Sequence, residues 1–572
     1  MVYDRLARWT GFNFNFQRIL FFVLLTILCY LVLPPLFFTM QSSLYVDRGF
    51  IEPELSLKNY TDFLTTPDTG VMLVNSLWFA FGSSLVALTV GTLLAWVVER
   101  TDTPFKNLAY LSAFTSFAIP GIVKVIGWIM LFGPEKGVIN VWLKELFDLQ
   151  YSPFNIFTLS GMILVEGVVW APVVFLFMAA PFRSMDPSLE ESALMSGAGP
   201  VQTFYHVTLK LALPSVLSVL LLTFVRAMEA FEIPVLIGIP GRVLVLTSEI
   251  YLRLSSGLLP QYGMASAYGV VLIFLVSIGL YFYSRATRES QKFYTITGKG
   301  FRPRTIEMGK WRVVTTMIVF VLPTLLALPL LILMWTSVLP YYMAPSVDAL
   351  RQLTTINYSA AFQSPNVWLA LKNSLIISLT SASLTILLTA LVAWVVVRSN
   401  ISGKGILEHL TSFTLAFPSV VLAVAMLLTY LKLPIPVYGT IWILVLGYIT
   451  RYIPYGLRYC SPGLLQINKE LEESAEMSGA PWFTVFRRIV VPLMMPSIFA
   501  GWIYIFLLSV RELTMALLLY SPGSQVISVT IFKMWDFGTL GELSAFSVSV
   551  SLLLVGMAIL FHRLSRRYGL RV

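Results

Sequence analysis

Long apolar runs recur along this chain, and they restrict its fold more than any other feature of the sequence. The hydrocarbon core of a bilayer is ~30 Å thick, so a helix needs ~20 mostly apolar residues to cross it. Of the 572 residues, 57% are hydrophobic and only 12% are charged. A soluble domain could not cover its surface with so few polar residues. The sequence therefore predicts an all-α polytopic membrane protein.

We predict about twelve transmembrane helices, arranged as two homologous six-helix halves. The predicted spans are 19–40, 71–98, 108–132, 159–181, 213–236, 263–285, 312–336, 369–397, 408–431, 439–461, 495–520 and 542–562. The first of them follows Arg5, Arg8 and Arg18 and resembles a signal anchor. Since no small-residue cleavage site follows it, we retain it as a span.

The distribution of lysine and arginine predicts the orientation. The segment before the first span, the link at 286–312 and the tail after the last span are all basic. Basic residues accumulate in cytoplasmic loops, and an even number of spans separates these three segments. Both termini are therefore predicted to be cytoplasmic. The net charge of +10 reflects this topology. No base-reading or stacking motif accompanies it, so we expect no nucleic-acid partner.

One cytoplasmic segment occurs twice. Residues 189–198 read LEESALMSGA and residues 471–480 read LEESAEMSGA, so they differ only at Leu194 and Glu476. Both copies share one offset (472 − 190 = 282), and upstream Asn75 matches Asn373 at an offset of 298. The chain is a tandem duplication. We divide it into halves 1–295 and 296–572, each an extra N-terminal helix followed by a five-helix core.

Each repeated segment has the pattern of a short surface helix. Ser188 and Glu191 have the spacing of a capping box, and Asn468 is placed to cap the second helix. Small residues stand four apart in both copies, which lets another protein surface approach closely: Ala193 and Gly197, Ala475 and Gly479. If the segment occurred once, it could equally be a capped amphipathic helix that only connects two spans. Two near-identical copies at equivalent sites favour a docking element.

Ionisable residues lie inside two equivalent predicted spans: Arg226, Glu229 and Glu232 in the fifth, Arg511 and Glu512 in the eleventh. A charge at the bilayer centre costs ~2.5–3.5 kcal/mol on the insertion scale, so such groups pair or face water. Arg226 and Glu229 are three residues apart and can pair on one helix face. The alternative is that these charges line a translocation path, and the sequence leaves both interpretations open.

The sequence carries no phosphate-binding Gly-x-x-x-x-Gly-Lys-Ser/Thr loop and no nucleophile–base constellation. We therefore expect a chain that is not an enzyme and binds no cofactor of its own. Cys29 and Cys460 fall in separate apolar spans, and the three histidines are scattered. No metal ligands can be assigned from these residues.

The segments Glu191-Ser-Ala193 with Gly197 and Glu473-Ser-Ala475 with Gly479 resemble the EAA loop of type I binding-protein-dependent ABC importer permeases. In that family the pattern continues for nine residues to Ile-x-Leu-Pro. The second copy ends on Pro492, whereas the first has Lys210 there, so the helix junction is expected to differ. The EAA loops are then 185–212 and 467–494. The resemblance assigns these residues to ATPase coupling, together with the adjacent Glu190 and Glu472.

The fused two-half arrangement resembles the ferric-iron(III), thiamine and phosphonate permeases, and the segments at 229–234 and 511–514 are most similar to the iron group. The resemblance implies a multi-pass permease of the bacterial inner membrane. Its expected partners are two copies of a cytoplasmic ATPase, which use ATP, a periplasmic or extracellular solute-binding protein, and membrane lipid. Ferric iron(III) is the favoured solute, and phosphonate, thiamine or a polyamine-type solute is the alternative. An ion-coupled secondary transporter is the competing class, but such a carrier needs no doubled docking helix. A purely structural scaffold would leave the paired intramembrane charges unexplained.

Overall fold

The structure is a computed structural model that describes residues 2–48, 51–186, 188–291 and 305–567. Across these ranges the chain is almost wholly helical, and its only sheet pairs two short antiparallel strands, β1 (Tyr45–Arg48) and β2 (Ile51–Leu55). The predicted all-α class is confirmed. The basic link residues Lys292, Lys299, Arg302 and Arg304, and Arg571 of the tail, lie outside the described residues.

The helices are numbered in chain order. Helices α1 to α9 are Val2–Ser43, Lys58–Thr65, Pro67–Arg100, Lys106–Ala118, Gly121–Phe132, Val138–Phe147, Leu159–Ser184, Ser188–Met195 and Pro200–Thr203. Helices α10 to α18 are Leu209–Leu211, Leu213–Met228, Leu246–Ser255, Tyr262–Gln291, Arg312–Ser337, Val347–Leu350, Ile356–Gln363, Pro365–Arg398 and Gly405–Phe413. Helices α19 to α26 are Ser419–Lys432, Ile441–Leu465, Glu470–Met477, Trp482–Val485, Val491–Val510, Thr514–Leu519, Ile527–Asp536 and Leu540–Arg567. Short π-helical segments are Phe204–Thr208, Pro234–Gly238 and Phe486–Val490, and 3₁₀ turns are Gly309–Trp311 and Thr414–Ala416.

Within the described ranges, eight helices are long and apolar enough to cross a membrane, or up to eleven if each bent pair is one span. Helix α20 occupies most of the remaining predicted span, 439–461, but it is not among the helices that are long and apolar enough by this test. Two spans predicted to be continuous are sharply bent instead. Helices α4 and α5 meet at 108°, and the pair Gly405–Ala416 and Ser419–Lys432 meets at 109°. Pro120 and Pro418 precede the second helix of these pairs, and proline disfavours the helical conformation in the residue before it.

The third bend confirms the expected difference between the helix junctions of the two EAA loops. In the first copy, Pro200–Leu211 and Leu213–Met228 meet at 74°, with the break at Ala212, two residues after Lys210. In the second copy, Trp482–Val510 is a single candidate span. Pro492 lies there in the first turn of α23, where its fixed φ suits a helix.

The chain forms two compact units, which do not follow the two linear halves. One unit, here the 57–363 unit, contains residues 57–363 and 531–555; the other, the 364–530 unit, contains 1–56, 364–530 and 556–572. Helix α1 thus belongs with the core of the second half, where the Tyr30 hydroxyl donates to the Tyr430 hydroxyl at 3.2 Å. Helix α14 belongs with the core of the first half, where Gly127 packs against the backbone of Pro329. The boundary of the sequence repeat at 295/296 stays a prediction.

In each unit, the repeated Asn-Ser pair fixes a broken segment of backbone. Asn75 donates to the carbonyl of Leu244 at 3.3 Å, and Ser76 accepts from the amide of Leu246 at 2.9 Å. The second copy repeats this arrangement: Asn373 donates to the carbonyls of Gly523 and Gln525, and Ser374 accepts from the amide of Ile527. Side chains of this kind satisfy the backbone where a helix stops within a membrane.

Candidate coupling helices and intramembrane charges

Helices α8 and α21 are the two repeated surface helices. The carboxylate of Asp186 accepts from the amide of Ser188 at 2.9 Å, and this bond lowers the pKa of Asp186. Asp186 therefore takes the capping role that we predicted for Ser188, which lies inside the helix. In the second copy, Asn468 accepts from the amide of Glu470 at 3.2 Å, as predicted. Asp186 and Asn468 are equivalent positions (468 − 186 = 282).

In the first copy, Arg100 at the C-terminal end of α3 holds Glu190. Its Nε donates to the Glu190 carboxylate at 3.0 Å, and Nη2 contacts the same oxygen. Nη1 donates to the carbonyls of Phe182 at 3.4 Å and Met185 at 3.3 Å, at the end of α7. The hydroxyl of Thr208 donates to the other Glu190 oxygen at 2.5 Å. The Arg100 and Glu190 side chains are almost completely buried, with relative exposures of 0% and 1%.

The second copy repeats this arrangement with equivalent residues. Arg398 Nε donates to Glu472 at 2.7 Å, and Nη2 donates to the carbonyls of Leu464 at 3.1 Å and Ile467 at 2.6 Å. The offsets are those of the sequence repeat: 298 for the two arginines (398 − 100), and 282 for the glutamates and the carbonyl residues (472 − 190, 464 − 182, 467 − 185). Trp394 Nε1 donates to the second Glu472 oxygen at 3.1 Å.

We call each set a coupling clamp: the Arg100–Glu190 pair or the Arg398–Glu472 pair, with its two carbonyls. A guanidinium presents its donors in a rigid fork, so one arginine can fix a carboxylate and neighbouring carbonyls together. Breaking such a buried pair from one side is strongly destabilising, because the other charge stays buried without a partner. The clamps therefore attach α8 and α21 rigidly to the ends of the long helices.

The clamps change the interpretation of the repeated Glu-Glu pair. Glu190 and Glu472 point inward, while Glu191 is half-buried and Glu473 is exposed. The arginines were not among the predicted site residues. A signal for them exists, however, because Arg100 and Arg398 both follow the repeated Ala-Trp-Val-Val by two residues.

The outer face of both coupling helices is apolar at matched positions. Met195 is 89% exposed and Met477 is 82% exposed, and Leu189 and Leu471 form a further exposed pair. Val201 and Phe483 are exposed in the short helices that follow, α9 and α22. Exposed apolar groups at the same places in both copies mark an interaction surface. Ala193 and Ala475 are half-buried beside it.

Gly197 and Gly479 end the coupling helices in the left-handed conformation, at φ +89° and +86°. The amide of Ala198 donates to the carbonyl of Ala193, and Ala480 to Ala475, both at 3.1 Å, which is the bond of a Schellman ending. No atom lies within 4 Å of the place where a Cβ of either glycine would stand. These glycines are thus required by the backbone and leave open space for a partner.

The two clamps differ in how the glutamate is completed. The indole of Trp394 donates to Glu472, whereas the equivalent Trp96 is buried with no hydrogen-bond partner for its Nε1 among the described residues. Burial, and then the charges of Glu472 and Glu473, raise the pKa of Glu476. The first copy carries Leu194 at that position.

The intramembrane charges are placed in two ways. Arg226 and Glu229 form the predicted pair, with Nη1 and Oε2 3.1 Å apart, and their side chains are 19% and 5% exposed. The carboxylate of Glu232 packs directly against Gly121 at the break between α4 and α5. In the part of the chain that the structure describes, no group of three or more His, Cys, Asp or Glu could hold a metal ion.

Glu512 has a backbone role. Its carboxylate accepts from the amides of Met515 at 2.9 Å and Ala516 at 3.2 Å, and from the Ser419 hydroxyl at 3.2 Å. It therefore caps α24, a short helix that begins within the apolar region. Arg511 is half-buried next to it. The structure thus supplies a structural partner for Glu229 and for Glu512, and a role in a translocation path stays a prediction.

Comparison with known proteins agrees with this duplicated architecture. A putative ferric transport system permease protein, FbpB 1, of Haemophilus influenzae is 24% identical over 520 residues, covering 89% of this chain and 79% of the relative. The ferric transport system permease protein FbpB of Actinobacillus pleuropneumoniae is 23% identical over 496 residues, covering 86% of this chain and 70% of the relative. The spermidine/putrescine transport system permease protein PotC of Escherichia coli is 26% identical over 213 residues, covering 37% of this chain and 80% of the relative.

Two regions of the chain, residues 87–288 and 385–570, match the family described as "Binding-protein-dependent transport system inner membrane component". Each region contains one coupling clamp and one repeated surface helix. The matched regions cover more than half of the sequence and repeat the duplication found in it. The chain is a multi-pass membrane protein that belongs to the family of binding-protein-dependent inner membrane transport components.

Proposed function

We propose that this chain is the permease of an ABC importer for ferric iron(III), coupled through α8 and α21 to two copies of a cytoplasmic ATPase. The observation that carries the proposal is the pair of coupling clamps. Two equivalent helices, each fixed to the ends of long helices and each with an exposed apolar face, suit two copies of one partner. The termini would lie in the cytoplasm with these helices, and a solute-binding protein would deliver iron from the opposite side.

The clamps explain how such a permease would respond to its partners. ATP binding and hydrolysis would take place in the ATPase subunits, whose closure moves the two coupling helices. Because Arg100 and Arg398 each bind a glutamate of the coupling helix and two carbonyls at the C-terminal end of a long helix, that displacement passes to the membrane helices. A ligand shifts a conformational equilibrium only by its differential affinity for the two states. Because the coupling helices are rigidly attached, the nucleotide state of the ATPase subunits would change the free-energy difference between the two conformations of the membrane helices.

Ferric iron is the proposed solute because two relatives named as ferric transport permeases match this chain over 86–89% of its length. A polyamine solute is the second candidate, supported by the spermidine/putrescine relative, which matches 37% of the chain. The charges Arg226, Glu229, Glu232, Arg511 and Glu512 are proposed to line the route. An ion-coupled secondary transporter would have no use for two clamped surface helices.

The test is reconstitution in liposomes with the ATPase subunits and the binding protein. Uptake of radiolabelled ferric iron should require ATP inside, loaded binding protein outside and both coupling clamps. ATP hydrolysis should rise when loaded binding protein is added. Hydrolysis by the rigorously purified chain alone, or iron uptake driven by an ion gradient without the ATPase, would contradict the proposal. Uptake of spermidine but not iron would keep the importer and change its solute.

A further inference from the structure

A groove of about 890 Å³ lies beside α14 within the 57–363 unit. Most of the groove runs along α14 and is lined by apolar side chains: Val313, Met317, Phe320, Val321 and Leu325. Its other end is basic and lies at the start of α14, because Arg312 lines it and Lys310 is exposed two residues earlier. The groove thus combines an apolar channel along a candidate membrane span with positive charge at the N-terminal end of that span.

We propose that this groove binds one phospholipid with an anionic headgroup. An acyl chain would lie along α14, and the headgroup phosphate would bind Arg312 and Lys310. Basic residues at a membrane surface attract anionic lipids, and each contributes about fivefold in affinity. A zwitterionic lipid would satisfy the apolar part of the groove but not its charge.

A strained residue packs against Phe320 of the groove lining. Phe105 has φ +62°, which is unusual for a bulky side chain, and its ring centroid lies 5.5 Å from that of Phe320. The equivalent residue of the second half is Gly403, at φ +86° (403 − 105 = 298). The first half therefore places phenylalanine in a conformation that its own repeat gives to glycine. Backbone strain of this kind persists where surrounding structure enforces it, and it concentrates at functional sites.

The groove also adjoins the first coupling clamp. Arg312 lies 3.8 Å from the carboxylate of Asp102, which accepts from the amide of Met308 at 3.1 Å. The amide of Ile306 donates to the carbonyl of Arg100 at 2.8 Å. A phosphate on Arg312 would therefore compete with Asp102 beside the clamp. The binding proposal itself does not depend on what the chain transports.

The test is native mass spectrometry of the delipidated full chain with phosphatidylglycerol or phosphatidylcholine of the same acyl chains. We expect phosphatidylglycerol to bind more tightly, and Arg312→Gln to weaken it about fivefold without changing phosphatidylcholine binding. Arg351→Gln is the matched control, because that arginine is 78% exposed and does not line the groove. It should leave both affinities unchanged.

Two further variants separate the groove from the charge. Met317→Trp should fill the groove and weaken both lipids. Phe105→Gly should relieve the backbone strain, so the protein should fold at least as well as the native chain. Because this variant lacks the ring that packs on Phe320, it should bind phosphatidylglycerol more weakly. Equal affinities of the two lipids for the native chain would overturn the proposal. Unchanged phosphatidylglycerol binding in both Arg312→Gln and Phe105→Gly would also overturn it.

Discussion

Replacing Arg398 by methionine should release α21 from the membrane helices while those helices stay folded. The substitution keeps an apolar stem but leaves Glu472, only 8% exposed, without its cation, and the carbonyls of Leu464 and Ile467 without their donor. Removing one partner of a buried pair costs about 3–5 kcal/mol. That is a large part of the 5–15 kcal/mol that stabilises a typical domain, but the loss is confined to one short helix.

Hydrogen exchange of the amides of α21 measures this loss directly. Local opening that costs about 3–5 kcal/mol less should lower their protection by about 10²-fold to about 4 × 10³-fold, with little change in α17 and α20. ATP-dependent uptake should fall with it. Adding Glu472→Met should restore part of the protection, since no buried charge then lacks a partner.

The matched control is the exposed pair of the same helix, Lys469 and Glu473, whose charged atoms are 3.0 Å apart. Both side chains are 55% exposed, so Lys469→Gln should cost less than about 1 kcal/mol and barely change exchange. Unchanged exchange in Arg398→Met, or an equal loss in Lys469→Gln, would refute the reasoning that the buried arginine fixes the helix.

Three further predictions concern the coupling helices and the membrane. Gly197→Trp and Gly479→Trp should each abolish ATPase co-purification and iron uptake with the chain still in the membrane, because both sites combine a left-handed backbone with open space for a partner. Glu476→Leu should protect α21 from exchange at neutral pH. The pKa of Glu476 is raised in the folded helix, so the protonated carboxyl stabilises the folded state. This stabilisation is complete below about pH 4, near the ordinary pKa of a glutamate, and it is lost as the pH rises through the raised pKa. The double variant Arg226→Leu with Glu229→Leu should fold better than either single variant, and its uptake should stay low if the pair lines the route.

Each of these predictions has a control variant or a result that would contradict it. Gly439 also has a positive φ, +81°, and open space at its Cβ, but it lies outside the EAA loops, so Gly439→Trp should retain ATPase binding. Equal pH profiles of α21 exchange in the native chain and in Glu476→Leu would contradict the charge argument. Full uptake by the double leucine variant would leave Arg226 and Glu229 as a structural pair only.

The features that were predictable from the sequence are those that repeat or that lie close together in the chain. The coupling helices, the cap at Asn468 and the Arg226–Glu229 pair each rest on residues within one or two helical turns. The altered helix junction was visible as Lys210 in place of proline. In these cases local spacing determines the contact, so one sequence with an internal repeat is enough.

The features that could not be predicted depend on contacts between distant residues. Arg100 and Glu190 are 90 residues apart, and nothing local indicates that Glu190 turns inward while Glu191 does not. The placement of α1 with the core of the second half rests on packing between apolar surfaces, which composition does not distinguish. The bends at Pro120 and Pro418 lie inside apolar runs that have the length of one span. Hydrophobicity locates the apolar runs but does not show whether each run is one continuous helix.

The internal repeat separates what the coupling helices share from what they do not. The arginine, the glutamate and the two carbonyls are the same in both clamps, down to their offsets in the sequence. The group that completes the glutamate differs, being Thr208 in one copy and Trp394 in the other. The exposed methionines of the outer face remain in both copies. In the sequence, Leu194 of the first copy is replaced by Glu476 in the second. The two halves of a fused chain can differ in sequence. The groups that both coupling clamps nevertheless share are therefore those that both clamps require. In the proposed coupling mechanism, the attachment of the helix to the membrane core would be the common part, and the contact with each ATPase copy would be where the two sites are free to differ.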